Sequence, residues 1–260
     1  MGMCSQTDRE IDGRGCKLRV LINPPGDAYW NMAVDEAVFI SHIEGKVTTT
    51  LRLYTFEKPS ITYGYFQEVG PGDYQDRIKV RRITGGGVVL HHLDQTISLV
   101  IKPGDFNLKR KEDLYYNFSR ALREGLSSFG DITAFGGHSS SERVSVYECF
   151  SKIAPEDLVV AGRKLAGYSQ RRRRGFTLLQ ASMRLYKGEE DGAISLEEIC
   201  NSPPELNGVH RAIIAGFEKA WKVKTYRSDL TRYERELAER LIEKYTSDKW
   251  NFKVEKVVRL

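Results

Sequence analysis

The residues with the clearest chemical potential lie in one short run, Arg81-Arg82-Ile83-Thr84-Gly85-Gly86-Gly87-Val88-Val89-Leu90-His91. Three consecutive glycines between β-branched residues give up packing and conformational entropy that a strand would otherwise gain. A ligand lying against bare main chain accounts for that loss, and the two arginines carry the forked guanidinium suited to a carboxylate or phosphate. A glycine-rich bend with solvated arginines is the competing reading, and spacing alone leaves both open. The run is not a P-loop, because no Gly-Lys-Ser/Thr follows it.

A second candidate is Lys164 in Gly162-Arg163-Lys164-Leu165-Ala166-Gly167. A lysine between glycines in a hairpin arm can be buried beside a substrate and polarise a carbonyl there; taken alone, the pattern also fits an exposed hairpin lysine. Cys149, in Tyr147-Glu148-Cys149-Phe150, offers a thiolate nucleophile, although a lone cysteine among aromatics also serves as a small core residue. His91 and His92 are adjacent, so on a strand at most one reaches a given site. His138, before three serines, reads as a surface loop residue, and Arg171 to Arg174 as a solvated turn or a docking point for an acidic carrier.

The chain that must position these groups has 260 residues, 40% of them hydrophobic, enough to bury a core. Its net charge of +5 is modest and leaves an acidic carrier, a phosphate-bearing molecule or a nucleic acid open as partners. No stretch approaches the roughly 18 uninterrupted apolar residues of a membrane span, and Met1 to Arg14 is polar, so the expected location is the cytoplasm. Cys4, Cys16, Cys149 and Cys200 form no CxxC pair, which argues against a zinc site or a disulfide framework.

Hydrophobic spacing predicts strands over Leu18–Ile22, Thr48–Phe56, Ser60–Phe66, Val80–Ile83, Val88–Leu90 and Thr96–Ile101, with Lys58-Pro59 as a turn between the second and third. It predicts a largely covered helix over Trp30–Ile43 and a helix that covers the sheet over Glu112–Phe129. Further strands are read over Leu158–Val160, Lys164–Gly167 and Phe176–Leu185, with Ala161-Gly162 as a tight turn. Helices follow over Glu205–Trp221 and Leu230–Tyr245, the latter with a Thr231/Glu234 capping box. Strands and helices mix without regular alternation, the mark of an α+β fold rather than a doubly wound sheet.

Taken in order, these segments resemble the superfamily of lipoate-protein ligases, octanoyltransferases and biotin-protein ligases. Asn31-Met32-Ala33-Val34-Asp35-Glu36-Ala37 is similar to its first-helix signature and Tyr63-Gly64-Tyr65-Phe66-Gln67 to its next strand. Arg81 to His91 is similar to its Arg-Arg-x-x-Gly-Gly-Gly-x-Val-x-His stretch, and Gly162 to Gly167 to its Gly-x-Lys-x-x-Gly element. The resemblance runs from about Leu18 to Phe252, closing on Lys244-Tyr245 and Trp250-Asn251. Cys149-Phe150 ahead of Leu158-Val159-Val160, together with Gln170, resembles the cysteine-dependent octanoyltransferases; the Asn-Asp pair of the ATP-dependent ligases is missing. Gly87 stands where those transferases often have arginine, His92 where aspartate is frequent, and Gln180-Ala181-Ser182 lacks the histidine of a Gln-His-Gly element.

The resemblance implies a biotin/lipoate ligase-like α+β catalytic domain over residues 18–260, with mixed, mostly antiparallel sheets flanked by helices and a helical C-terminal portion, after a flexible segment 1–17. It implies transfer of an octanoyl group from octanoyl-carrier protein to a lysine of a lipoyl domain through a Cys149 thioester, in protein lipoylation. Lys164 would orient the acyl carbonyl, and Arg82, Gly85, Gly86, Gly87, His91 and Gly167 would bind substrate, Arg82 near the carrier's phosphate-linked arm. The expected partners are acyl carrier protein, a lipoyl-domain acceptor and the octanoyl or lipoyl substrate; no metal or cofactor and no membrane are expected. The alternative is a lipoate-protein ligase acting through lipoyl-AMP, which would need ATP and magnesium. A catalytically inactive carrier- or DNA-binding regulator ranks behind both, because no helix-turn-helix precedes the strands, and nucleic acid is set aside.

Overall fold

The structure, a computed structural model, describes residues 11–108, 110–137, 150, 152–188 and 192–252. Its elements are β1 (Lys17–Ile22), α1 (Ala28–Ile43), β2 (Thr50–Tyr54), β3 (Ser60–Tyr63), β4 (Ile78–Arg81), β5 (Val89–His91), β6 (Asp94–Ile101), α2 (Lys111–Leu126), β7 (Thr133–Ala134), β8 (Leu158–Val160), β9 (Arg163–Arg173), β10 (Phe176–Arg184), α3 (Leu196–Cys200), α4 (Leu206–Trp221), β11 (Lys224–Arg227), α5 (Arg232–Thr246) and α6 (Asp248–Phe252). Eight strands form one sheet in the order β11-β1-β2-β6-β10-β9-β8-β7, and β4-β3-β5 form a second. The β11, β1 and β2 strands are parallel and the remaining neighbours in that sheet antiparallel; β3 is parallel to β4 and antiparallel to β5. The sheets are thus mixed and mostly antiparallel, as expected of the α+β fold.

Period-two alternation splits the large sheet into two faces. Leu51, Leu53, Ile97, Leu99, Leu179 and Met183 pack on one face with Leu114 and Phe118 of α2 and Ile213 and Phe217 of α4. Tyr54, Val100 and Leu178 pack on the other with Val34 and Val38 of α1 and Ala238 and Tyr245 of α5. Each fully buried side chain of this kind contributes roughly 1.5–3 kcal/mol, so both faces need their helices. The α1 helix is apolar nearly all round because the sheet covers one side and α5 another. The α2 and α4 backbones touch: a Cβ on Gly125 would lie 2.1 Å from the Ala212 carbonyl oxygen.

Three expectations change. Thr48–Phe56 and Ser60–Phe66 do hold strands, shortened, but β2 and β3 lie in different sheets, because β1 and β6 already occupy both edges of β2. The Lys164 arm is part of an eleven-residue strand that continues through Arg173. Arg171 to Arg173 are therefore strand residues, and the turn is Arg174-Gly175, with φ of 52° and 80°. The expected Ala161-Gly162 turn is present, with φ of 48° and 77°, the double positive φ of a tight hairpin. Residues 11–16, counted with the flexible N-terminal segment, are anchored: Ile11 is buried, its amide bonds to Asn117 Oδ1 at 3.0 Å, and the Gly13 amide to the Trp221 carbonyl at 2.8 Å. Among the described residues, no helix is long and apolar enough to cross a membrane.

Candidate active site

Between β4 and β5 the chain makes its glycine turn, and both arginines that open it are buried rather than solvated. Arg81 donates to the carbonyls of Tyr65 and Gln67 at 2.8 and 2.7 Å and to those of Trp250 and Asn251 at 2.9 Å, tying α6 to the small sheet. Arg82 folds back over the turn. Its guanidinium donates to the carbonyls of Gly85 (2.6 Å), Gly87 (2.7 Å) and Thr62 (3.0 Å). Three backbone carbonyls share its fork, so its charge holds the turn in shape.

Of the three glycines, Gly86 has φ of +88°, and a Cβ there would lie 2.8 Å from Arg82 Nη2 and 3.4 Å from Ser169 Cβ. Gly64 is needed opposite, since its Cβ would meet the Gly86 carbonyl oxygen at 2.0 Å. Gly85 has open space where a Cβ would stand; its role, with that of Gly87, is to present a carbonyl to Arg82.

Beneath the turn, between α1 and the face of β9 and β10, is a narrow cleft with about 30 Å³ of enclosed space behind an open mouth. Met32, Val89 and Ala181 give it apolar walls, and Gly86 and Gly167 give it bare backbone. Arg82 and His91 also line it, so Arg82, Gly86, His91 and Gly167 meet at one cavity.

The polar wall is built around His91. His91 Nε2 lies 2.7 Å from Thr62 Oγ1 and Nδ1 lies 2.8 Å from Asp94 Oδ2, while the ring stacks on Phe56. Asp94 also accepts from Ser182 Oγ at 2.7 Å and Thr96 Oγ1 at 3.1 Å. Burial alone would raise the Asp94 carboxyl, but His91 and the Ser182 hydroxyl pull it below its ordinary value. Ser182, a departure from the resembled Gln-His-Gly element, thus has a partner here. His92, at φ 142°, is exposed.

Gln180 connects the cavity to the core. Its Nε2 donates to Asp35 at 2.6 Å, and its Oε1 accepts from Thr84 Oγ1 at 2.7 Å. Asp35 accepts in addition from Arg52, Tyr54 and Ser98 at 2.7–2.8 Å. Read as an acidic interruption of a helix, Asp35 is a fully satisfied buried carboxylate that fixes α1 against β2, β6 and β10.

Lys164 is buried, not an exposed hairpin lysine. Its Nζ lies 2.7 Å from Asp157 Oδ2 and donates to the Lys152 carbonyl at 3.0 Å. Burial pushes the Asp157 carboxyl up, against the pull of the Lys164 ammonium. Lys164 is not among the residues that line the cavity; its Nζ lies 5.8 Å from the ring centroid of Phe150, which clusters with Val89 of the cavity wall and Ala193. Cys149, the expected nucleophile, and His138 lie outside the described residues. Among the described residues, no group of three His, Cys, Asp or Glu side chains is placed to hold a metal.

Sequence reasoning missed Asp94, Asp157, Thr62 and Gln180. Only Asp94, three residues after His91, carried a local signal; Thr62 meets His91 across strands, Gln180 meets Asp35 of α1, and Asp157 meets Lys164 across the β8–β9 turn.

A family model described as the lipoyl protein ligase A/B catalytic domain matches residues 27–218. An octanoyltransferase LipM of Kyrpidia tusciae is 32% identical over 90% of this chain and 98% of its own length, and one of Staphylococcus aureus 30% identical over 87% and 95%. Among solved structures, a lipoate-protein ligase A bound with ATP superposes with a TM-score of 0.73 at 24% identity, covering 94% of this chain and all of the other. LipL1 of P. falciparum in complex with lipoate gives 0.69 at 13% identity, covering 94% and 75%.

Proposed function

The chain belongs to the lipoyl protein ligase A/B catalytic-domain family, and on that premise we propose that it is an octanoyltransferase of protein lipoylation, moving an octanoyl group from a carrier-protein thioester to a lipoyl-domain lysine. The observation that carries the finer reading is the buried Lys164 ammonium 5.8 Å from the ring of Phe150, the residue that follows Cys149. A cation held in a dry setting beside an acyl carbonyl lowers the cost of negative charge developing on its oxygen.

The octanoyl chain occupies the apolar cavity under the glycine turn. The Cys149 thiolate attacks the donor carbonyl: a carbon–sulfur bond forms to Cys149, the bond to the carrier sulfur breaks, and the carrier leaves as a thiol after taking up a proton. The neutral amine of the acceptor lysine then attacks the same carbon, Cys149 leaves as thiolate, and the amine's proton passes to solvent or to that thiolate. Lys164 faces the carbonyl oxygen in both steps, and Asp157 keeps it charged and aimed. Neither step consumes ATP, a metal or another cofactor.

Intact mass spectrometry after mixing with octanoyl-carrier protein, without ATP, tests this. A gain of one octanoyl group in wild type and none in Cys149→Ala is expected. Acceptor labelling that requires lipoate and ATP, with no acyl-enzyme, would instead make the chain a ligase.

A further inference from the structure

A groove of about 200 Å³ lies further along the same elements. Along α1, Met32 lines the cavity and Glu36, one turn on, lines the groove; along β9, Ser169 lines the cavity and Arg171 and Arg173 line the groove. Alternate strand residues share a face and each residue advances about 3.3 Å, so Arg171 and Arg173 stand roughly 7 and 13 Å past Ser169 along β9. The two hollows thus lie one after the other along α1 and β9.

The groove is electrostatically unbalanced. Arg171, Arg173 and Lys244 line it with a single carboxylate, Glu36, so three cations against one anion leave an excess of two positive charges. Glu36 is already engaged by Lys244 Nζ and Tyr245 Oη, each at 2.6 Å. Burial lowers the Lys244 ammonium, Glu36 opposes that, and Arg171 and Arg173 add to the lowering. Neither arginine makes an ion pair or a side-chain hydrogen bond among the described residues; Arg171 lies over the Tyr65 ring at 5.2 Å. Trp250, under Lys244 at 3.9 Å, supplies an apolar floor. A groove with unpaired guanidinium groups above aromatic and aliphatic side chains suits an anion carried on an aliphatic arm.

Resting on the donor reading above, we infer that this groove receives the phosphodiester of the pantetheine arm on which a carrier protein presents its octanoyl thioester. The arm lies along β9 on the α1 side, and Arg171 and Arg173 meet the phosphate. Arg82 does not, since backbone carbonyls hold its guanidinium. Arg172 points to the opposite face of the strand and takes no part.

The test compares octanoyl-pantetheine, octanoyl-4′-phosphopantetheine and octanoyl-carrier protein as donors for wild type, Arg171→Ala/Arg173→Ala and Arg172→Ala. In wild type the phosphate is expected to raise kcat/KM about tenfold or more, chiefly through KM. The double variant is expected to erase that preference and to lose as much with the carrier protein. Arg172→Ala keeps the preference, and Arg171→Lys/Arg173→Lys restores part of it. An undiminished preference in the double variant, an equal loss in Arg172→Ala, or a raised KM for the acceptor domain alone would each overturn the inference. Wild type that uses the thioesters but ignores the phosphate sinks the groove assignment alone. Wild type that uses no thioester sinks the donor reading and the groove assignment with it.

Discussion

Lys164 Nζ and Asp157 Oδ2 lie 2.7 Å apart with both side chains only 3% exposed, so the one lysine of the glycine-flanked hairpin is a buried charge held by a buried partner. Removing one member of such a pair costs about 3–5 kcal/mol, whereas replacing both by apolar residues is often near neutral. Asp157→Asn should therefore lower the unfolding free energy by about 3 kcal/mol or more, and Asp157→Leu/Lys164→Met should recover most of that stability without activity. Urea denaturation with parallel octanoyl-transfer rates checks both. A single variant as stable as wild type would mean that Lys164 is neutral or has another anion.

Arg82→Lys should behave as a disruptive change despite keeping the charge. A lysine cannot span the carbonyls of Thr62, Gly85 and Gly87 that the guanidinium bridges. With each charge-assisted bond worth about 1.5–3 kcal/mol, the expected loss of stability is about 2 kcal/mol or more, with a raised KM for the acyl donor. Thermal unfolding and donor titrations read it out; wild-type values in both would show that the turn stands without its arginine.

The glycines of the turn should be unequal. Gly86→Ala forces a side chain onto φ of +88° and places its Cβ 2.8 Å from Arg82 Nη2, at the cavity wall. A cost of about 1–2 kcal/mol from the backbone alone, and a sharper fall in octanoyl transfer, is expected. Gly85→Ala meets open space and should stay within about 0.5 kcal/mol of wild type. Equal effects of the two substitutions would contradict this geometry.

Asp94 predicts an acid limb to stability. Its folded carboxyl lies below the ordinary value, so its stabilising contribution is complete above the unfolded value of about 3.9 and is lost as pH falls through the lower folded value. The stability gap between wild type and Asp94→Asn should be widest near pH 6 and narrow below about pH 4. Urea midpoints from pH 6 to 3 measure it, and a gap that widened on acidification would reverse the sign argued here.

Much of this architecture was legible because local chemistry encodes it. Period-two spacing marked β6 and β10, the Thr231/Glu234 capping box started α5 where expected, and Ala161-Gly162 took the double positive φ of its turn. The glycine run marked a place where main chain runs bare, and Gly86 of that run lines the cavity. Element ends were less legible: alternation along Arg171 to Arg173 is hidden when every residue is charged, so a strand read as a turn.

What the sequence determined by itself was the set of elements, the family they resemble and the glycine turn, since each rests on neighbours within a few residues. What only the tertiary structure decided was the use of each charge. Arg81 bonds to Asn251, 170 residues away; Gln180 reaches Asp35; Lys164 finds Asp157; and Arg82, chosen as an anion contact, closes on carbonyls while Arg171 and Arg173 are left facing a groove. Strand register and helix docking set those pairings. A buried polar group must find a partner wherever the fold supplies one, so its role belongs to the three-dimensional neighbourhood and not to its place in the chain.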